Sequence, residues 1–400
     1  MPGVRNLLPK KLRTSRIFEK FQNDRESRKF FREYAEKIWL VGGTVRDLLL
    51  ERKPRDYDFL LTDTDESDIK KLLPRAEKVG KAFPVYLWKG SEFSWTSSSY
   101  PQAELSSRDY TVNSLAVHLK SGEIHDPHGG LADLRLKILQ PLPGALSDDP
   151  HRMYRGLRFL AEMPKFTMTD HCFNLMKKIK ERELKSLAEE RVAEEFKRVL
   201  SAPRGERFFL GLKAVKKQNV HFFWLDDNPV TDLKRWQSTR QLTKNNRVIF
   251  SSLALKTCNE FDIEGLRKRI PLAKKWLRAA KLAGEIVPVI RKWNTCSPEA
   301  LSESYSRLNP DIISLEEIIT LARAEDLRLL ELSFSLKSYY YDNLKLMWRD
   351  LSREISGEDL PASIPPGPER GRKLKRLRTD WLREKREKYA GDLQGKLTDR

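Results

Sequence analysis

The spacing of hydrophobic and polar positions changes once along the chain. In the first third, short runs rich in β-branched and aromatic residues are separated by Gly, Pro, Ser or charged residues. They are Ile38-Trp39-Leu40-Val41, Tyr57 to Leu61, Phe83 to Trp88, Glu92 to Thr96 and Ser114 to Leu119, and they predict strands. Leu115 to Leu119, then Ser121-Gly122, then Glu123-Ile124-His125 reads as a hairpin turning on glycine. Asp47 to Glu51 and Glu66 to Leu73 read as helices between strands. Beyond about residue 145 the apolar residues recur at three and four, which predicts amphipathic helices. These cover Asp148 to Met163, His171 to Lys180, Leu187 to Leu200, Ile263 to Leu282 (interrupted by Pro271), Leu315 to Leu332 and Leu374 to Tyr389. Pro and Gly punctuate the chain at Ala202 to Gly205 and at Pro361 to Gly371. The expected fold class is α+β: a small mixed-sheet head followed by an elongated all-helical neck, body and tail. The boundaries drawn are an N-terminal extension over 1–30, a head over 31–143, a neck over 144–202, a body over 203–345 and a basic tail over 346–400.

Composition adds a partner class. Lys and Arg number 76 against 57 Asp and Glu, a formal +19, which points to a polyanion because neutralising phosphates releases their condensed counterions. An acidic membrane surface is the rival, but no lipidation motif or long apolar run is present. Only 39% of residues are hydrophobic, low for a globular chain, and this predicts a high surface-to-core ratio. Nine Trp, eleven Tyr and eighteen Phe nevertheless need burial and exclude a disordered chain. Cys172, Cys258 and Cys296 form neither a zinc pattern nor a disulfide framework, and the N-terminus lacks the apolar stretch of a signal peptide. The expectation is a soluble cytoplasmic protein that faces nucleic acid.

Candidate chemistry sits in the head. Leu40-Val41-Gly42-Gly43-Thr44 is a strand ending in two glycines that turn into a helix, where backbone N–H groups can approach phosphate oxygens. Thr44 offers a hydroxyl to the same phosphates. Asp56 and Asp58 lie two apart on an expected strand, so both carboxylates project to one face. Like charges side by side call for a cation, and Mg²⁺ favours carboxylates plus substrate phosphates. Two such ions suit phosphoryl transfer. Glu92 is a weaker third candidate from a neighbouring strand. His125 and His128, across a proline turn, read as ordinary loop residues.

Gly42-Gly43-Thr44-Val45-Arg46-Asp47 followed by Asp56-Tyr57-Asp58 resembles the opening motif and metal-binding pair of the class II tRNA nucleotidyltransferases and bacterial poly(A) polymerases. Arg108-Asp109-Tyr110-Thr111-Val112-Asn113-Ser114-Leu115 is similar to that family's Arg-Arg-Asp motif, with Ser107 in place of the first Arg. The resemblance implies contacts from Arg108 and Asp109 to ribose and triphosphate. Asp126-Pro127-His128-Gly129-Gly130 resembles the turn that follows. Asp148-Asp149-Pro150-His151-Arg152, continuing into Arg155, Arg158 and Phe159, is similar to the motif that selects the incoming base. Glu189 to Glu195, Ser356 to Leu360 and Gly367 to Gly371 resemble later family segments.

Asp149 and Arg152 are three apart, and on one helix face they could read C or A. A carboxylate accepts from the exocyclic amino group, and a guanidinium donates to the acceptors beside it. The alternative is a plain intrahelical ion pair. Between Thr96 and Arg108 only eleven residues intervene, and the resemblance implies a longer, flexible loop there in enzymes that add a complete CCA end. The expectation is therefore a template-independent enzyme adding two cytidines from CTP (ATP being a further candidate substrate) to the 3′ end of tRNA, gripping the acceptor stem. Complete CCA addition and poly(A) synthesis remain alternatives within the family. A non-catalytic RNA-binding protein is the alternative of another class, and the intact Asp56/Asp58 pair argues against it.

Overall fold

The computed structural model describes residues 25–80, 84–217, 220, 230–254, 272–325, 334–361 and 363–398. The head begins with α1 (Arg25–Tyr34) and β1 (Ile38–Val41). Then follow α2 (Gly43–Leu49), β2 (Asp58–Leu61), α3 (Glu66–Leu72), β3 (Glu77–Val79), β4 (Val85–Trp88) and β5 (Ser91–Trp95). The short α4 (Gln102–Ser106) and a 3₁₀ turn (Thr111–Asn113) lead to β6 (Ala116–His118), β7 (Ile124–His125) and α5 (Gly130–Leu136). The seven strands form one sheet in the order β3-β4-β5-β2-β1-β6-β7, mixed because β2 and β5 run parallel. The expected strand over Tyr57 to Leu61 starts at Asp58, so Asp56 stands just ahead of the sheet. The glycine hairpin forms, with Gly122 at φ 70°.

Every residue of β1 is buried because the sheet is covered on both faces. On one face Phe30 and Phe31 of α1 meet Phe59 and Phe93, which stack at 4.8 Å. On the other, Trp39, Val41, Leu60 and Ala116 pack with Leu105 of α4. Alternation along β2 therefore puts Phe59 on the first face and Leu60 on the second, and Asp58 follows Leu60 to the second.

The helices that follow are α6 (Ala145–Asp148), α7 (His151–Glu162), α8 (Asp170–Lys178), α9 (Glu181–Lys185), α10 (Glu189–Ser201) and α11 (Glu206–Ala214). Residues up to 187, with 203–217, make one compact unit, and residues 188–202 with 218–400 make another. Within the first unit, α7 packs against α11 with Gly211 pressed on Leu157. Arg207 ties the pair by donating to the carbonyls of Leu160, Pro164 and Phe166.

The second unit is helical throughout its described residues. It contains α10, α12 (Val230–Leu242), α13 (Asn246–Ala254), α14 (Lys274–Ile290), α15 (Pro298–Arg307), α16 (Leu315–Glu325), α17 (Phe334–Glu354) and α18 (Pro368–Thr398). Of the expected helix over Ile263 to Leu282, residues up to 271 lie outside the described residues, as do Cys258 and the last seven residues of Leu315 to Leu332. Trp293, Tyr341, Met347, Trp348 and Trp381 fill a shared core. The basic α18 is pinned by ion pairs from Lys375 to Glu303, Arg383 to Glu299 and Lys385 to Glu354. Cys172 and Cys296 are free thiols. Among the described residues, no helix is long and apolar enough to cross a membrane.

Tyr110 joins the sheet unit to α7. Its ring is fully buried and its hydroxyl donates to the Arg152 carbonyl at 3.0 Å. A Cβ on Gly156 would stand 1.8 Å from that hydroxyl oxygen. Gly156→Ala should therefore destabilise the protein by about 2–3 kcal/mol, the range for overpacking, read as a lowered urea midpoint. Adding Tyr110→Phe should recover part of the loss; an unchanged midpoint for Gly156→Ala would contradict this packing.

Candidate active site

Strand β1 ends at Val41, and Gly42 turns the chain into α2 with φ 68° and ψ −135°, a conformation that favours glycine. Its N–H donates to the Leu115 carbonyl at 3.0 Å, which fixes the turn beside β6. A Cβ there would lie 2.7 Å from Arg108 Nη1 and 3.7 Å from Asp58 Oδ2, so a guanidinium and a carboxylate converge over this glycine. No side chain caps α2, leaving its first N–H groups without a side-chain acceptor. Backbone donors, a cation and an acid thus meet at one bare turn, an arrangement suited to a phosphate chain.

Asp58 opens β2, and its register partner on β5 is Glu92. Burial pushes the Asp58 carboxyl up, Arg108 opposes that, and the charges of Glu92 and Asp56 push it further, to about 6. Asp56 and Glu92 are themselves exposed. Among the described residues, no group of three or more His, Cys, Asp or Glu lies together as a metal cage. Glu92 acts on Asp58 as a charge across the strand pair. The donor set left is Asp56 with Asp58, and it fits Mg²⁺, which takes one or two carboxylates and fills its sphere from phosphates and water. A cation there would relieve the crowding of like charge that raises Asp58.

Several expected contacts fall elsewhere. The Thr44 side chain is buried, and its hydroxyl donates to the Asp56 carbonyl at 3.1 Å while accepting from the Asp58 N–H at 3.0 Å. It stitches the acid segment to α2 and does not offer its proton to a phosphate. Asp109 is 4% exposed, with both oxygens engaged. Oδ1 accepts from the Tyr110 N–H and from Asn113 Nδ2 (both 2.8 Å), and Oδ2 accepts from Arg155 Nε at 2.7 Å. Burial alone would raise its carboxyl, but Arg155 and these donors hold it down at about 2. Asp109 is thus a buried organiser of the residues around it.

Arg46 is likewise mostly buried. It donates to Asn113 Oδ1 at 2.7 Å, pairs with Asp47 at 2.8 Å, and lies 3.6 Å from the place of a Gly43 Cβ. Arg158, 1% exposed, pairs with Glu162 and lies over the Phe159 ring at 4.2 Å. Arg155 keeps over a third of its side chain exposed while holding Asp109.

Asp149 and Arg152, expected to read the base from one helix face, are built differently. Helix α7 starts at His151, so Asp149 lies before it and its Oδ1 accepts from the His151 N–H at 3.1 Å. Arg152 is in the first turn, and its guanidinium donates to the carbonyls of Ser107 (2.6 Å), Arg108 (3.2 Å) and Ala145 (3.4 Å). Ser107, standing where the family motif has its first Arg, closes α4 by donating to the Glu104 carbonyl. Asp126 caps α5 through the N–H groups of Gly130 and Leu131. His125 bonds Gln102 from β7, not from a loop as expected, and His128 in the following turn bonds Ser106.

Two residues escaped the sequence reading. Asn113 bridges Asp109 and Arg46, and it lay unremarked inside the quoted 108–115 motif. Glu104 pairs with Arg108 Nη2 at 2.9 Å, and its only signal was the four-residue helical spacing.

Residues 38–94 and 88–140 match the family described as "Poly A polymerase head domain", and residues 165–216 match "Probable RNA and SrmB-binding site of polymerase A". The chain is similar to the "Multifunctional CCA protein" of Xanthomonas campestris pv. campestris (strain B100), 32% identical over 195 residues that cover 43% of this chain and 47% of that protein. The protein of that name from Pasteurella multocida (strain Pm70) is 33% identical over 209 residues, 46% and 49% of the two chains. The chain therefore matches about half the length of these curated relatives. Among solved structures, a Thermotoga maritima CCA-adding enzyme complexed with tRNA is similar with a TM-score of 0.65 and 18% identity, over 94% of this chain and 96% of that one. A CCA-adding enzyme complexed with CTP gives 0.67 and 18%, over 92% and 93%. At these identities the likeness is one of fold, and it agrees with the expected α+β class of sheet-bearing head and helical remainder.

The raised Asp58 carboxyl has a consequence for stability. Because about 6 lies above its ordinary 3.8, this group's favourable contribution is complete below about pH 4 and is lost as pH rises through about 6. Asp58→Asn cannot ionise. Without divalent cations it should be more stable than the wild type by about 1–2 kcal/mol at about pH 7.5 and should lose that advantage at about pH 4. Urea unfolding across that range checks this, and a difference independent of pH would refute the raised Asp58 carboxyl.

Proposed function

The chain carries the head of the class II tRNA nucleotidyltransferase and poly(A) polymerase family, and from that premise we propose that it adds nucleotides, without a nucleic-acid template, to the 3′ end of tRNA. The observation that carries this reading is the convergence of Asp58 and Arg108 over the Gly42 turn, at the uncapped start of α2. The RNA 3′-hydroxyl attacks the α-phosphorus of the nucleoside triphosphate in line, forming the new phosphodiester, and pyrophosphate leaves with the bonding electron pair. Asp56 and Asp58 would hold Mg²⁺, which would supply charge neutralisation to the phosphates and favour the ionised hydroxyl. Gly42, Gly43 and the first N–H groups of α2 cradle the triphosphate, with Arg108 adding a positive charge. Thr44, Asn113, Arg46 and Asp109 keep that cradle in place. The tRNA acceptor stem is the partner, and the many basic residues of the helical part suit its backbone, since duplex RNA is read by shape and phosphate.

Asp149 and Arg152 choose the base. An amino group on the incoming base satisfies the carboxylate, whereas U and G present a carbonyl there and leave it facing an acceptor. The narrower assignment is addition of two cytidines from CTP. It is supported by the shortness and tight attachment of residues 97–107. Ser99 donates to Asp63 at 2.7 Å, Leu105 is buried, and Gln102 and Ser106 bond the two histidines. Complete CCA addition is the second reading, favoured by relatives bearing the name "Multifunctional CCA protein" and by similar folds solved with CTP and with ATP.

The test offers tRNA transcripts ending before the CCA, after C and after CC, with each nucleotide alone and in mixture, followed by sequencing of the 3′ ends. Two cytidines and then arrest supports the narrow reading. Adenosine joined to the CC end as fast as cytidine is joined earlier sinks it and favours complete CCA addition, and long adenosine runs indicate poly(A) synthesis. No incorporation at all overturns the enzymatic reading in favour of RNA binding. Asp56→Ala and Asp58→Ala should each lower incorporation at least about a thousandfold, as loss of two-metal phosphoryl-transfer chemistry requires. Retained activity would refute the metal assignment.

A further inference from the structure

We propose that Glu104 is a positioning residue that turns the Arg108 guanidinium toward the triphosphate cradle; the proposal rests on the nucleotide-binding reading above. Arg108 closes the eleven-residue connection, and its three nitrogens have three different surroundings. Nη2 donates to Glu104 Oε1 at 2.9 Å, one helical turn back on α4. Nη1 lies over Gly42, within 2.7 Å of where a Cβ would be, on the side where Asp58 Oδ2 also stands. Nε is buried and has no hydrogen-bond partner.

Nη1 is the nitrogen that faces the turn, so an anion over Gly42 would complete the arrangement there. Gly42 is the place where that anion fits, since only a residue without a side chain leaves room for the guanidinium. Glu104 engages Nη2 and leaves Nη1, on the Gly42 side, unclaimed by it. A fork pinned at one nitrogen has few orientations left, so little freedom is lost when a phosphate binds Nη1.

The main chain around Arg108 is fixed from the other side. Arg152 donates to the carbonyls of Ser107 and Arg108, and Leu105 sits in the sheet core with Trp39 and Leu60. Backbone position is thus set without Glu104, and its ion pair decides only where the side chain points. The ion pair is partly exposed, at 24% for Arg108 and 34% for Glu104, so its removal should leave the fold standing.

Titration calorimetry with CTP and Mg²⁺, on the full chain and independent of turnover, tests this. Glu104→Ala should weaken CTP binding about tenfold, the scale of one charge-assisted hydrogen bond, with Glu104→Gln between it and wild type. In the Arg108→Ala background the same change should have no further effect. Steady-state kinetics should show the loss in KM for CTP, with kcat changed less than about twofold, and thermal melting should be unmoved. Unaltered CTP affinity in Glu104→Ala, or equal losses with and without Arg108, would overturn the proposal. Wild-type chain that binds CTP with this coupling yet extends no RNA would support Glu104's role and defeat the catalytic reading; a chain that binds no CTP would defeat both.

Discussion

Taking a carboxylate out of water is expensive unless hydrogen bonds and an opposite charge replace what water supplied, and Asp109 meets that condition where the sheet unit joins α7. It receives one backbone N–H, one amide and one guanidinium. Each donor belongs to a part the site needs. Tyr110 continues the chain that leaves Arg108, Asn113 leads through Arg46 to α2, and Arg155 belongs to the helix that carries Arg152. The sheet, the glycine turn and the base-reading segment are therefore held to one another through a single buried charge. Removal of that charge would take one hydrogen-bond acceptor from Arg155, Asn113 and the Tyr110 N–H at once.

The acids at the glycine turn follow a different logic. Burial raises the Asp58 carboxyl first, the charges of Glu92 and Asp56 add to it, and Arg108 and Arg46 oppose them in part. A carboxylate cluster left partly uncompensated is poorly suited to a purely structural role, whereas a site that takes up cations and triphosphate is completed by them. The hydroxyl of Thr44 keeps this cluster beside the glycine turn by bonding the main chain on both sides of Tyr57. The head thus combines a satisfied buried charge that gives rigidity with an unsatisfied surface set that gives chemistry.

Strand positions were legible in the sequence because β-branched and aromatic runs were short and bounded by turn residues. The Gly42-Gly43 turn and the Asp56/Asp58 pair were legible because few other arrangements explain them together. Side-chain roles within the motifs were not. Thr44, Asp109, Arg46 and Arg158 are residue types that bind nucleotides as readily as they brace a fold, and only burial and partner lists separate the two. Asp149 illustrates the limit of spacing, since Pro150 delays the helix and Asp149 caps it from outside. Glu104 was unreadable for a related reason: an acid four residues before an Arg is common on any helix, and its meaning comes from what the guanidinium's other edge faces.

The central claim is that Asp56 and Asp58 form a divalent-cation site completed by a nucleoside triphosphate. Electron paramagnetic resonance of Mn²⁺ titrated into the protein with CTP present measures it most directly. The account predicts bound Mn²⁺ in excess of that held by CTP alone for the wild type, and loss of that excess in Asp58→Asn. Equal Mn²⁺ binding by the two proteins would contradict it.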